Sequence, residues 1–93
     1  MKDAHILIVE MYLARKEKRD ARAKLNAAIR EYCGENNPSR PDYIEAIEED
    51  ETARAARILH DLAAVEATRA TAAVWRYGKK YAEDNIAEKD SGK

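Results

Sequence analysis

The chain has no phenylalanine, one cysteine, one tryptophan, two prolines and three glycines. Without Phe, and with alanine supplying much of its 45% apolar content, it lacks the bulk for a thick single-chain core. Cys33 stands alone, which excludes an internal disulfide and any dependence of the fold on an oxidising compartment. Long apolar runs are missing too. Ile6-Leu7-Ile8-Val9 stops at Glu10, too short for a signal-peptide core or a membrane span, so a cytoplasmic protein without membrane contact is expected. Neither sign of charge dominates. A net charge of −1 with 38% charged residues argues against a wholly basic nucleic-acid binder.

What remains is rich in Ala, Glu, Lys, Leu and Arg, the composition of long helices. The predicted class is all-α: one domain over residues 1–93, built as a long antiparallel helical hairpin and completed by dimerisation. Gly34-Glu35-Asn36-Asn37-Pro38-Ser39-Arg40-Pro41 holds both prolines and marks the loop, 34–41. Helix one is expected over about 3–33, with Asp3 as N-cap and Gly34 just past its end. Helix two is expected over about 42–77. Ser39 and Asp42 have the spacing of a capping box, and Pro41 is tolerated in a first turn. Gly78 would kink or end that helix, leaving an extension over 78–93 that frays in part and holds at most a short third helix.

Read in sevens, helix one shows a seam. Leu7, Ala14, Ala21 and Ala28 fall on one line; Met11, Lys18, Leu25 and Tyr32 fall on the next. Ala21 lies on this seam and Ala23 off it. The stripe expected to face it from helix two is Ile44, Ile47, Ala55, Ile58, Leu62, Val65, Ala72 and Trp75.

Charge is unevenly placed. Between Arg15 and Lys24 lie six bases (Arg15, Lys16, Lys18, Arg19, Arg22 and Lys24) against Glu17 and Asp20. Between Asp42 and Glu51 lie six acids and no base. Folding about the loop sets the basic run against Arg54, Arg57 and His60, giving a positive waist, and sets the acidic run beside Lys24 and Arg30. A second feature is Trp75-Arg76-Tyr77-Gly78-Lys79-Lys80-Tyr81, expected to overhang the start of helix one. Aromatics interleaved with Arg and Lys suit a protein hot spot or a nucleic-acid contact, though packing against Ile6, Val9 or a second copy would also use them.

Chemistry-bearing motifs are missing. His5, His60 and Cys33 are isolated in sequence, no base is placed beside Cys33 or a serine, and no Gly-rich phosphate loop occurs. No catalytic residue, metal site or cofactor is therefore expected, and no family resemblance reaches a nameable motif. The expected function is a non-enzymatic protein-binding or inhibitory module acting as a homodimer. Small accessory or phage-type proteins that block host defence complexes share this size and build, by analogy of class alone. The alternatives are a nucleic-acid or nucleotide binder and a purely structural assembly subunit. The candidate contact residues are Arg15, Lys16, Arg19, Arg22, Arg54, Arg57, Trp75, Arg76, Tyr77, Lys79, Lys80 and Tyr81.

Overall fold

The computed structural model describes residues 3–91, with side-chain surroundings through residue 84. Three helices and no strand occur among them: α1 (Ala4–Cys33), α2 (Arg40–Glu49) and α3 (Glu51–Ser91). The all-α class is met.

Local chemistry sets most of the helix ends. The Asp3 carboxylate accepts the Ile6 N–H at 3.0 Å and caps α1. At the other end Gly34 adopts φ 71°, a left-handed conformation that disfavours any side chain, and its N–H reaches the Arg30 carbonyl at 2.8 Å. Ser39 and Asp42 form the reciprocal capping box. The Asp42 N–H donates to Ser39 Oγ at 3.3 Å, and the Ser39 N–H donates to Asp42 Oδ2 at 3.0 Å.

The single helix expected over 42–77 is instead two. Asp50 is extended (φ −113°, ψ 119°); its N–H closes α2 on the Ala46 carbonyl, and its Oδ2 accepts the Ala53 N–H at 3.0 Å. One aspartate thus ends α2 and caps α3. Its short carboxylate competes for backbone donors that a continuous helix would have used. Past this break α3 runs unbroken through Gly78 to Ser91, so the stop or kink expected at Gly78 does not occur. No other part of the chain lies within 4 Å of where a Gly78 side chain would start, so nothing there presses on the helix. Forty-one residues at about 1.5 Å each make α3 the long axis of a molecule 67 Å in length. Of the extension expected to fray, residues 92 and 93 lie outside the described residues.

The core gathers where the three helices meet. Leu25 and Ile29 of α1, Ala46 of α2 and Ala53 of α3 are buried, with Ala28, Cys33, Tyr43, Ile47 and Ala56 packed around them. The α1 seam holds at Leu7, Met11, Ala14, Lys18, Ala21 and Ala28, all half-buried, while Tyr32 is more open. Of the stripe expected from the second helix, Ile47 packs on the core and Ala72 is half-buried, but the other six residues do not hold. Ile58 is 55% exposed, Leu62 60% and Trp75 75%, and Ile44, Val65 and Ala55 also face outward. α3 instead buries or half-buries Ala53, Ala56, His60, Ala63, Ala67, Ala70 and Val74, a row with its own spacing of threes and fours. Small side chains on both helices let the backbones approach closely, and that approach leaves no room for Ile58 or Leu62 in the seam.

Candidate interaction groove

Along one flank of the α1–α3 contact runs an open groove. From α1 it is walled by Ile8, Met11, Tyr12, Arg15, Lys18, Arg19 and Arg22; from α3 by Ala67, Thr68, Thr71, Ala72, Trp75 and Arg76. Local periodicity builds each wall. Ile8, Tyr12, Arg15, Arg19 and Arg22 recur at alternating spacings of four and three, which puts them on one face of α1. Thr68, Thr71 and Trp75 do the same on α3.

Five of the groove residues are cationic and none is a carboxylate. Arg15, Lys18, Arg19, Arg22 and Arg76 form no ion pair or side-chain hydrogen bond among the described residues. The floor between them is Ala67 and Ala72, while Ile8, Met11, Tyr12 and Trp75 add apolar and aromatic area. Thr68 turns its hydroxyl back to the Ala64 carbonyl at 3.0 Å. The groove can therefore hold an anionic, partly apolar occupant by these cations and ring faces.

The candidates from the sequence divide into three groups. Arg15, Arg19, Arg22, Trp75 and Arg76 come together in the groove. Arg54 and Arg57 do not join them, which corrects the positive waist. The groove places the basic run opposite Ala67 through Arg76, because α2 is a separate helix and the α1–α3 pairing is displaced along α3. Arg54 instead donates from Nε to the Ile47 carbonyl at 3.1 Å and from its terminal nitrogen to the Glu48 carbonyl. Arg57 donates to Tyr43 Oη at 2.9 Å and pairs with Asp61 at 3.1 Å. Lys16 is exposed and lies off the groove. Tyr77, Lys79, Lys80 and Tyr81 continue α3 beyond it: the two tyrosine rings stack at 6.5 Å, and Lys79 reaches Glu83 at 4.0 Å. Trp75 sits level with Ile8 and Tyr12, so the overhang begins later along α3 than expected.

Ile8, Met11, Tyr12, Lys18, Thr68 and Thr71 were not among the sequence candidates. The alternating row from Ile8 to Arg22 was the readable signal for Ile8 and Tyr12. The threonines became visible only with the opposite wall in place.

A second groove follows the other flank and shares no residue with the first. Glu17, Asp20 and Glu66 line it with Lys24, Leu59 and Leu62. Lys24 therefore stands among these acids and not beside α2. The acidic run of α2 lies near Tyr32, whose hydroxyl is pushed up by burial first and then by Glu45, Glu49 and Asp50. The half-buried Cys33 thiol is also raised, by burial first and then by Asp42, and it points to the Asp42 carbonyl at 3.8 Å. Among the described residues no cluster of three His, Cys, Asp or Glu could hold a metal ion, and no helix is long and apolar enough to cross a membrane.

No known protein family, curated protein or solved structure matches this chain.

Proposed function

We propose that the chain is a non-enzymatic protein-binding module, an antiparallel hairpin of α1 and α3 that acts by occupying the surface of an acidic protein, as an inhibitor would. The observation that carries this reading is the groove with five cations unpaired and no carboxylate among the described residues, beside the exposed ring of Trp75. Ile8 and Met11 support a protein partner over a bare phosphate chain, because aliphatic walls suit apolar side chains. Self-association also belongs to the proposal. Ile58, Leu59, Leu62 and Val65 turn outward in one stretch of α3, and a second chain would remove them from water.

Affinity capture from lysate of the native host tests this, with wild type compared against Arg15→Glu/Arg19→Glu/Arg22→Glu. Retained protein should fall with the triple variant and survive nuclease treatment. Undiminished capture by a folded triple variant would remove the groove as the binding element. The nucleic-acid reading rests on the same cations beside two rings able to stack on bases. It requires loss of capture on nuclease treatment and a steep fall of affinity with salt.

A further inference from the structure

We infer that the basic groove of one copy receives the acidic α2 of a second copy, in a two-fold pair that makes the contact twice. The inference rests on the groove being a protein interface, as proposed above, and names an occupant for it.

Two surfaces of opposite sign, unpaired among the described residues, carry the argument. Glu45, Glu48 and Glu49 of α2 are exposed and enter no ion pair among the described residues. Ile44 lies among them with about half its surface open, so the outer face of α2 is apolar at one point and acidic around it. The groove has the complementary pattern, with Tyr12 and Trp75 flanked by Arg15, Arg19 and Arg22. Within one chain these surfaces do not meet, because α2 is seated at the loop end on Ile29, Cys33 and Arg57.

That seat is the second argument. On α1 the row from Ile8 to Arg22 continues at helical spacing to Ile29 and Cys33. On α3 the row of Trp75, Thr71 and Thr68 continues back to Asp61 and Arg57. The chain's own α2 therefore covers the loop-end continuation of the same groove, and an acidic helix is already what this trough holds where it is filled. Two copies in opposed directions would bring each α2 outer face toward the open part of the other's groove. A two-fold axis makes both contacts equivalent and closes this interface at two, with the Leu59 and Leu62 flank outside it. A second copy and an outside acidic protein would then compete for one surface.

Sedimentation velocity of the full chain at micromolar concentration and low salt tests this, with Trp75, the only tryptophan, as a fluorescent reporter of groove occupancy. Wild type should dimerise and dissociate in about 0.5 M salt, as screening at a few ångströms predicts. Arg15→Glu/Arg19→Glu/Arg22→Glu and Glu45→Lys/Glu48→Lys/Glu49→Lys should each weaken dimerisation at least tenfold while circular dichroism stays helical. Mixed one to one, the two variants should associate again, because one contact then has its signs exchanged and the other keeps its native signs. Should the α2 triple lose helicity, Glu45→Gln/Glu48→Gln takes its place and should weaken the dimer in the same direction. A wild type that stays monomeric, an α2 variant that dimerises as wild type does, or a mixture that fails to associate would each overturn the inference. If the groove variant still loses capture of an outside protein in that case, the protein-binding reading stands and only the occupant is wrong. If it loses neither, both fail.

Discussion

The guanidinium of Arg57 donates to the hydroxyl of Tyr43 at 2.9 Å and lies 5.6 Å from the centre of its ring, joining α3 to α2 across the break at Asp50. Asp61, one turn on, accepts from the same guanidinium at 3.1 Å and holds it in place. These contacts help fix the angle at which α2 leaves α3. Removing the hydroxyl alone, in Tyr43→Phe, should lower stability by about 0.5–1.5 kcal/mol. Arg57→Ala should cost more, because it also removes the cation from the ring face. Urea denaturation that ranks the two the other way would show that the pair does not join the helices.

Ala53 and Ala55 separate the observed seam from the one the apolar stripe suggested. Ala53 is 0% exposed in the core, while Ala55 faces outward. Ala53→Leu should therefore cost about 1–3 kcal/mol by overpacking. Ala55→Leu, on an exposed site, should stay within about 0.5 kcal/mol of wild type. Thermal melts of the two variants that coincide would contradict the α3 register.

Leu25 and Leu62 carry the same contrast with one residue type. Leu25 is in the core and Leu62 is open, so Leu25→Ala should cost about 2–5 kcal/mol by transfer and cavity terms. Leu62→Gln should leave the melting of the dilute chain nearly unchanged. A large loss at Leu62 in the dilute chain would mean that the outer row of α3 is part of the fold.

Asp42 links the α2 cap to pH. Its carboxyl is held below the ordinary carboxylate value by the Ser39 backbone N–H and then by the Ser39 hydroxyl. A carboxyl lowered in the folded state stabilises above its unfolded pKa, and that contribution is lost as pH falls through the folded value. The stability gap between wild type and Asp42→Asn should accordingly be largest near neutrality and close under acid. Ser39→Ala, which removes the other half of the box, should cost about 0.5–2 kcal/mol. Urea titrations across the acid range check both, and a gap that widened on acidification would reverse the assigned sign.

Cys33 should react slowly. Burial and then the Asp42 charge raise its thiol, so the thiolate fraction near neutral pH is below that of an ordinary cysteine. Alkylation rates measured against pH should rise with a midpoint above that of a free thiol peptide. A midpoint below it would mean that the thiol is activated.

The amino-acid sequence by itself determined the helical class, the Asp3 cap, the Ser39–Asp42 box, the stop at Gly34 and the α1 seam. Each depends on residues three or four apart, or on the spacing along one helix, and such interactions form wherever the helix ends up. It also placed Arg15, Arg19, Arg22, Trp75 and Arg76 among the candidates that share the groove, since uneven charge is visible along a chain. Only the tertiary structure decided which face of α3 turns inward. Ala53, Ala63 and Ala67 lie on one side and Ile58, Leu62 and Val65 on another, and an alanine-rich helix offers several rows with acceptable spacing. Close backbone approach selected the small row. Asp50, hidden in an acidic run, inserted a ten-residue helix into the connection and displaced the pairing of α1 along α3. That displacement sets the basic run against Thr68, Thr71 and Trp75 and sends Arg54 and Arg57 to α2, because register is settled by packing between helices and not by the pattern within either one.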